Sequence, residues 1–377
     1  MSGGARWFSK LRGMDAFVLL FSMALVLCGL WFLDSAGRGS DTLLTTQLRW
    51  LALSLAVVLP AMLIPWNRLL SLAPALYAFG LVLLLVVKTA GPVINGSQRW
   101  LPLLGRGLQP SEFMKVFTLL LLARLMRQQR SLQKFVDWLP LIGVGLLPTT
   151  LIIIQPDLGT SLLFLPLIVA VLIVGGAPWK KLLLAGVLGA GILAAGAGLL
   201  LEDYQKERIW STLHIDKMTA SQRSGPGFQL EQSLIAVGNG GWTGHGHGEG
   251  PRVQAGHLPY HQNDFIFALI AEEQGFTGTA LFVLLEVLFV LAICRVGALQ
   301  REPPAQVLCA GAAALLGTQA LVHMAVTVAL APTKGLPLPL VSAGGSSMMV
   351  SLLLVALVQN VSMHRGRWQS LGGLSAH

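Results

Sequence analysis

Charged residues and cysteines are scarce in this sequence. Only 11% of its 377 residues carry a charge, against about 25% in a soluble domain, and this shortage excludes a water-soluble fold. Cys28, Cys294 and Cys309 lie in or beside apolar segments without paired spacing, which argues against a disulfide framework and a cysteine metal site. The nucleophile-elbow, P-loop and dinucleotide fingerprints are also missing.

Apolar residues dominate the composition. They make up 54% of the chain, the mean hydropathy is +0.68, and several runs are long enough to cross a hydrocarbon layer of about 30 Å. We therefore predict an all-α polytopic membrane protein with about ten transmembrane helices. The predicted spans are residues 15–33, 48–64, 69–87, 113–126, 138–154, 158–174, 182–201, 265–294, 305–330 and 340–361.

The net charge of +9 would suggest a nucleic-acid partner in a soluble protein. Here most basic residues lie in short connections between apolar spans, predominantly on the side of the N-terminus, and therefore report orientation. No nucleic-acid partner is predicted, and both termini are predicted to be cytoplasmic. The first apolar run is long and lacks a small-residue cleavage site, so we interpret it as a span that also targets the chain.

Two long connections depart from this pattern. Residues 88–112 are rich in Gly, Pro and polar side chains, and residues 202–264 are predicted to form a large extracytoplasmic loop between spans seven and eight. Residues 1–377 are predicted to be a single integral membrane domain that carries this loop. Within the loop, the helical period of Phe228, Leu230, Leu234 and Val237 ends at a Gly-rich sequence, residues 238–241.

Glu112 and Lys115 lie in a predicted span, where each ionisable group costs at least ~2.5 kcal/mol without a partner. Their spacing of three places them on one helix face within reach of each other. One interpretation is a neutralised structural ion pair. The other, which we favour, is a charged wall of a polar cavity, because Arg99 and Trp100 lie just upstream in a connection that could fold over it.

Two aspartates precede predicted helices. Asp157 is interpreted as an N-cap. Asp264 has the same alternative, but it also closes the long loop and would lie where the head group of a lipid-linked substrate meets the membrane. Lys334 lies in a Pro- and Gly-rich segment that cannot be regular helix, and such backbone is tolerated at membrane depth where it lines a cavity.

Other ionisable groups follow in and around the loop. Of Glu272 and Glu273, one is expected to face the interior. A metal site could be drawn from the acidic Glu249 and four histidines, but the HGHGEG sequence lacks fixed helical or strand spacing, so a solvated loop is favoured over zinc binding. The histidines are His245, His247, His257 and His261.

Several motifs run from the loop before the fourth span to the start of the last. They are NGSQRW (95–100), QPSEFMK (109–115), QPDLGTS (155–161), YQKERI (204–209), FQLEQSLIAVGNGG (228–241), LPYHQNDFIFALIAEEQGFTG (258–278) and PTKGLPLPLVSAGGSS (332–347). In combination they resemble the SEDS family, the RodA and FtsW proteins of bacterial cell-wall synthesis. The last motif and the QLEQSLIA sequence are closer to the FtsW branch, of cell division, than to the RodA branch, of elongation.

The resemblance implies a peptidoglycan glycosyltransferase of the bacterial cytoplasmic (inner) membrane that polymerises lipid II. It implies a class B penicillin-binding protein as crosslinking partner, within the divisome or elongasome. Asp264 matches the essential aspartate, taken as the base that deprotonates the 4-hydroxyl of the acceptor sugar. Glu112 and Lys115 match a charged pair of the central cavity, and Trp100 matches a functionally important loop tryptophan.

The departing undecaprenyl pyrophosphate needs cationic groups or a divalent metal, Mg²⁺ or Mn²⁺, to hold its charge. The sequence identifies no ligands for such a metal. The candidate cations are Lys115, Arg208 and Arg223. Arg99 and Lys334 complete the predicted substrate-binding residues.

This sequence departs from the family pattern at several positions near Asp264. Tyr260 replaces a glutamate, Gln262 and Asn263 replace His and Thr, and Ala343 replaces a tyrosine. A common GKG in the loop is GHG here, at residues 244–246. Contacts to the substrate around Asp264 are therefore expected to differ from the family pattern.

Two other functions remain open. A lipid II flippase is compatible with ionisable groups inside a helical bundle, and a non-catalytic scaffold for the penicillin-binding protein would explain the departures near Asp264. We favour the enzyme, because the predicted topology places Asp264 on the external side, where the chemistry would occur.

Overall fold

The structure is a computed structural model, and it describes residues 13–37, 42–92, 98–103, 106–128, 131–200, 226–254, 262–332 and 335–364. These residues are almost entirely helical. The helices are α1 (Ala16–Ala36), α2 (Thr42–Leu63), α3 (Trp66–Ala90), α4 (Pro110–Met126), α5 (Leu139–Ile154), α6 (Leu158–Leu162), α7 (Phe164–Val174), α8 (Trp179–Leu200), α9 (Pro226–Asn239), α10 (Pro251–Gln254), α11 (Ile266–Ala298), α12 (Pro303–Thr327) and α13 (Gly345–Met363). A 3₁₀ turn, Phe135–Trp138, leads into α5.

A short hairpin precedes α4. Its strands, β1 (Leu101–Leu103) and β2 (Arg106–Leu108), pair antiparallel with Leu101 opposite Leu108. No sequence pattern singled out these strands. The hairpin ends two residues before α4 begins at Pro110, a residue that suits the first helical turn because its missing N–H has no helical partner there.

The described residues contain seven helical segments that are long and apolar enough to cross a membrane. They are α1, α2, α3, the segment Phe135–Ile154, α11, α12 and α13, and a shorter apolar stretch covers Leu158–Val174. The predicted all-α polytopic membrane fold is therefore confirmed. The count of ten spans stays a prediction.

Three helices form the interior of the bundle. Of the most apolar stretch of each helix, 78% is buried in α13 and 61% in α12, but only 22% in α2 and 33% in α1. The short helix α4 is also buried along most of its length, including its polar residues Ser111, Glu112, Lys115 and Thr118. Polar side chains on α4, α12 and α13 therefore lie in the protein interior, and outer helices such as α1 and α2 leave apolar faces exposed.

Capping explains two helix starts. The Asp15 side chain accepts from the amides of Phe17 and Val18 at the start of α1. At the start of α6, Asp157 accepts from the amide of Thr160 at 3.1 Å, which confirms the predicted N-cap. Both short aspartate side chains satisfy amides that the first helical turn leaves without partners.

The N-cap interpretation of Asp264 is wrong. Residues 262–265 form a turn, α11 begins at Ile266, and its N-cap is Phe265, which makes no side-chain capping bond. The helix then bends at Gly275, whose backbone (φ 63°, ψ −169°) departs from helical geometry. The N-cap position of α11 thus falls one residue after Asp264.

The tenth span begins later than predicted. The apolar run starts at Leu340, but α13 starts at Gly345. Leu340 has a φ of 64°, a left-handed conformation that a continuous helix does not contain. Residues 335–344, which we name the connecting segment, are non-helical as their Pro and Gly content indicates.

The helical pattern predicted inside the long loop is confirmed by α9, which ends at Asn239. Other predictions for the loop, and one nearby, fall outside the described residues. These concern Arg208, Arg223, His257, Tyr260, His261 and Lys334.

Candidate active site

A buried ion pair lies at the centre of the bundle. The Nζ atom of Lys115 is 2.9 Å from Oε2 of Glu112, and the two side chains are 2% and 3% exposed. The contact expected from their spacing on α4 is confirmed. Because each charge is compensated by the other in a low-dielectric interior, the pair holds both side chains in place more firmly than a surface pair would.

Lys115 also connects α4 to α12. Its Nζ donates to Oε1 of Gln319 at 2.9 Å. The amide nitrogen of Gln319 in turn donates to the carbonyl of Pro337 in the connecting segment, at 2.8 Å. Gln319 thus relays the position of the ion pair to the backbone of the connecting segment.

His323 makes a second link from α12 to the same segment. One turn after Gln319, its Nδ1 lies 2.7 Å from the carbonyl oxygen of Leu336. Since a carbonyl can only accept, Nδ1 is the donor. Side chains four residues apart on one helix face therefore hold two consecutive carbonyls, those of Leu336 and Pro337.

The far end of the connecting segment holds the turn that carries Asp264. The hydroxyl of Ser342 donates to the carbonyl of Asn263 at 2.7 Å and accepts from the amide of Leu338 at 2.8 Å. The amide of Ala343 donates to the carbonyl of Gln262 at 2.9 Å. Irregular backbone inside a membrane protein is stable only where such partners satisfy its polar groups. Here those partners fix the turn against the segment.

Asp264 lies directly against the start of the connecting segment. Gly335 has a φ of 58°, and a β-carbon added to it would be 3.2 Å from Oδ2 of Asp264. Glycine suits both the left-handed backbone and the space that the carboxylate leaves. Asp264 is partly buried, so one end of the segment contacts this carboxylate and the Pro337 carbonyl leads back to Lys115.

Arg99 and Asp157 form a second charged contact nearby. Arg99 Nη1 is 3.7 Å from Oδ1 of Asp157, and the arginine side chain is 30% exposed. Oδ2 of Asp157 also accepts from the side-chain nitrogen Nε2 of Gln109 at 2.9 Å. Gln109 is the residue before α4, so Asp157 ties α6 to the start of the helix that carries the ion pair.

Trp100 packs against the hairpin. A β-carbon added to Gly107 in β2 would be 2.7 Å from the Trp100 ring, which shows how closely the indole lies on that strand. The end of the hairpin is attached to α13, because the amide of Gln109 donates to the hydroxyl of Ser346 at 3.0 Å. Trp100 and Arg99 are thus held beside the N-terminal end of α4.

The predicted site residues therefore fall into three groups. The connecting segment joins Asp264 to Glu112 and Lys115, and we name these residues, with Gln319 and the segment itself, the central polar site. Arg99 and Trp100 lie on and before the hairpin that leads into α4. The remaining predicted residues, Arg208, Arg223 and Lys334, lie outside the described residues.

Sequence reasoning missed the polar side chains that hold the connecting segment. Gln319 and His323 carry a usable signal, since two polar residues four apart on an apolar helix share one face. The role of Gln47 in α2 has no comparable sequence signal. Its side chain accepts from the amide of Gly344 at 3.2 Å and donates to the carbonyl of Ser342 at 3.4 Å, contacts between residues far apart in sequence.

A second polar cluster lies where the long loop meets α11. Glu272 and Glu273 are both buried, so the expectation that one of them faces the interior understates the burial. Glu273 accepts from the hydroxyl of Ser35 and from the amide of Gly248, the latter at 2.9 Å. Glu272 accepts from the amide of Arg252 at 3.0 Å. We name this cluster, together with His247, the loop clamp.

The HGHGEG sequence packs on α11 through its backbone, while His245, Gly246 and Glu249 stay exposed, so the predicted solvated loop is confirmed in part. The amides of His245 and Gly246 donate to the carbonyls of Glu272 and Glu273. The ring of His247 stacks on Trp31 with centroids 4.7 Å apart. Within the part of the chain that the structure describes, no three or more His, Cys, Asp or Glu side chains are grouped to hold a metal ion.

Comparison with known proteins identifies relatives along nearly the whole chain. The model of a family described as cell cycle protein, which covers FtsW, RodA and SpoVE, matches residues 12–367. The peptidoglycan glycosyltransferase MrdB of Escherichia coli K12 is 31% identical, over 93% of this chain and 94% of its own length. A probable peptidoglycan glycosyltransferase FtsW of Halomonas elongata is 33% identical, over 93% of this chain and 90% of its own.

Solved structures share the fold as well. A chain from a study of how a peptidoglycan synthase complex coordinates polymerization and crosslinking superposes with a TM-score of 0.82 at 27% identity, covering 94% of this chain and 99% of its own. The rod shape determining protein RodA of Thermus thermophilus gives a TM-score of 0.70 at 27% identity, covering 94% and 98%.

Proposed function

The chain belongs to the FtsW, RodA and SpoVE family of cell cycle proteins, and on that premise we propose how it works as a peptidoglycan glycosyltransferase. It is a multi-pass membrane enzyme of that class, in agreement with relatives that span more than nine-tenths of its length. The proposed mechanism rests on one observation: the connecting segment links Asp264 to Lys115. Gly335 of the segment contacts Asp264, and Gln319 bonds both to Pro337 of the segment and to Lys115.

We assign Asp264 as the general base of the reaction. The oxygen of the acceptor sugar's 4-hydroxyl forms a bond to the anomeric carbon of the donor, and its proton passes to the Asp264 carboxylate. The bond between that carbon and the pyrophosphate oxygen breaks, so lipid II loses undecaprenyl pyrophosphate and the configuration inverts. Two features support this role: Asp264 is partly buried, and its carboxylate lies against Gly335 at the start of the connecting segment.

Lys115 provides positive charge for the departing pyrophosphate, and its ion-pair partner Glu112 partly neutralises that charge. Arg99 and Trp100 are proposed to contact the substrate from the hairpin, where the arginine remains 30% exposed. Lys334, Arg208 and Arg223 complete the proposed binding residues. The described residues contain no group of three or more His, Cys, Asp or Glu side chains that could hold Mg²⁺ or Mn²⁺.

The proposed partner is a class B penicillin-binding protein that crosslinks the glycan product within the divisome or elongasome. Support comes from the structural similarity to a chain in the study of coordinated polymerization and crosslinking. A membrane enzyme whose product must be crosslinked outside the cell gains from such a partner, since the nascent strand reaches it directly.

We further propose that residues 1–377 are a single integral membrane domain of the bacterial cytoplasmic membrane. Both termini would be cytoplasmic and residues 202–264 would form the large loop outside. The excess of basic residues in the connections on the N-terminal side supports this orientation. An FtsW protein and a RodA protein both match this chain. The FtsW branch is therefore proposed from the sequence alone, on PTKGLPLP and QLEQSLIA.

The test of the base is Asp264→Asn, purified with its partner and assayed for polymerisation of lipid II by gel. We expect glycan strands to disappear while expression and membrane insertion persist, because the amide keeps the shape of the carboxylate but cannot take the proton. Asp34→Asn is the matched control, since its carboxylate is 61% exposed in the loop clamp region, and it should polymerise normally. Long glycan from Asp264→Asn at near the parental rate would show that the base is another group.

Lipid II flipping is the second candidate, favoured by the ion pair buried in the bundle interior. Liposomes loaded with fluorescent lipid II and treated with a membrane-impermeant quencher measure it directly. For a polymerase, parent and Asp264→Asn should give the same quenching while polymer yield collapses in the variant. Lost flipping with preserved polymerisation would make transport the primary function. A parent that neither polymerises nor flips would leave the scaffold role.

A further inference from the structure

His323 is a buried histidine to which the proposed mechanism assigns no chemistry. It is 1% exposed, and its Nε2 has no hydrogen-bond partner among the described residues. Its Nδ1 donates to the carbonyl of Leu336. A histidine is costly to bury compared with an aliphatic residue of similar size, so the purpose of the ring lies in that one contact.

The contact is placed next to the residue that supports Asp264. Gly335, beneath the carboxylate, has a φ of 58° and directly precedes Leu336. A glycine has more backbone freedom than any other residue and does not hold a position by itself. The bond from His323 anchors the adjacent peptide, so it limits how far Gly335 and the carboxylate above it can move.

The two links from α12 differ in where they act. Gln319 contacts Lys115 and holds Pro337, on the side of the ion pair. His323 holds Leu336, one residue closer to Asp264. Residues 335 to 337 therefore contact, in order, Asp264, His323 and Gln319, and His323 is the link from α12 that lies closer to Asp264.

We infer that His323 is a positioning residue for Asp264, acting through the carbonyl of Leu336 and the backbone of Gly335. This inference rests on the proposed role of Asp264 as the base. A displacement of about 1 Å at a reacting group can reduce the rate about 100-fold. Loss of the anchor should therefore reduce kcat, while KM, set by contacts elsewhere in the site, changes little.

The first variant, His323→Leu, removes the donor and keeps an apolar side chain in the buried space. We expect kcat for lipid II polymerisation to fall about 10- to 100-fold, with KM within about twofold of the parent. His323→Asn should restore kcat to within about threefold, because the amide nitrogen of asparagine lies close to the position of the imidazole Nδ1 and can donate to the same carbonyl.

The matched control is Tyr77→Phe. The Tyr77 hydroxyl donates to the carbonyl of Val144 at 2.8 Å, so this variant also removes a bond between a buried side chain and a backbone carbonyl, but away from the connecting segment. It should lower the melting temperature about as much as His323→Leu and leave kcat at the parental value. Equal loss of kcat in both variants would reduce His323 to a general structural role and overturn the inference.

Gly335→Ala tests the same path without touching His323. Its methyl group would lie 3.2 Å from Oδ2 of Asp264, so kcat should fall with KM little changed even if His323→Leu cannot be purified. Parental kcat in either His323→Leu or Gly335→Ala contradicts the inference, as does a loss in His323→Leu that His323→Asn does not repair.

Asp264→Asn is assayed alongside these variants. If that variant polymerises like the parent, the proposed base fails and the positioning role fails with it. If it is inactive while His323→Leu turns over normally, the base stands and the inference about His323 alone is wrong.

Discussion

The central polar site and the loop clamp bury carboxylates in different ways. Glu112 faces the ammonium group of Lys115 at 2.9 Å, a full opposite charge on the same helix. Glu273 accepts from two neutral donors, Ser35 and Gly248, and the His247 ring nitrogen lies 3.6 Å from its Oε2. The comparison indicates a site held by fixed charge and a loop attached mainly by hydrogen bonds.

This difference matters for function because the two regions have different tasks. The central polar site must hold Asp264 and the substrate in one geometry through each turnover. The loop clamp joins a connection that follows α9 to the bend of α11 at Gly275, and such attachments can open at lower cost. Breaking each region in turn should therefore give effects of different size and kind.

Removal of the fixed charge should have the largest effect on stability. Lys115→Ala leaves the Glu112 carboxylate uncompensated in the interior, which costs about 3 to 5 kcal/mol for a truly buried pair. We expect a large drop in the melting temperature in detergent and loss of polymerisation. The variant also frees Gln319 from its bond to Lys115, so the connecting segment loosens too.

The double variant Glu112→Ala, Lys115→Ala sharpens that result. With neither charge present, the desolvation penalty disappears, and the double variant should be more stable than either single variant. Polymerisation should stay low, since the positive charge is gone. Thermal shifts that simply add would show that the two side chains do not interact, and the comparison with the loop clamp would lose its basis.

In the loop clamp, the largest change is expected from Glu273→Ala. It leaves the Ser35 hydroxyl and the Gly248 amide without their acceptor, at a cost of about 1 to 3 kcal/mol. Glu273→Gln keeps one acceptor oxygen and should lose less. Polymerisation should persist in both, measured by gel below the melting temperature. A loss as large as that of Lys115→Ala would show that the two regions are held equally firmly.

In these two regions, the sequence predicts contacts between residues that are close together in the chain and misses contacts between distant ones. The Glu112–Lys115 contact and the Asp157 cap connect residues three apart, so spacing alone predicted them. The bond between Ser35 and Glu273 joins residues 238 apart. Only packing brings such groups together, and no local pattern records it.

The same limit applies within the central polar site. The Pro and Gly content of the connecting segment predicted irregular backbone, and composition predicted the membrane fold. Hydropathy nevertheless placed the last helix too early, because Leu340 is apolar but adopts a left-handed conformation. The contact of Gly335 with Asp264 depends on how α11, α12 and α13 pack, and sequence spacing does not contain that information.

The smallest effect is expected at His247, where stacking and charge can be separated. Its ring lies parallel to Trp31 within 9°, and its nitrogens are 3.6 Å from Glu273 and 3.7 Å from Asp34. The side chain is 27% exposed, so solvent weakens these charge contacts. Stacking should therefore contribute more than charge.

His247→Phe keeps an aromatic ring over Trp31 and removes both nitrogens, whereas His247→Ala removes the ring as well. We expect His247→Phe to melt close to the parent and His247→Ala to lose about 0.5 to 1 kcal/mol, with polymerisation unaffected in both. If His247→Phe is instead as unstable as His247→Ala, the ring nitrogens stabilise the clamp through Asp34 and Glu273. The loop clamp would then also be held by charge, and the distinction between the two regions would be one of degree.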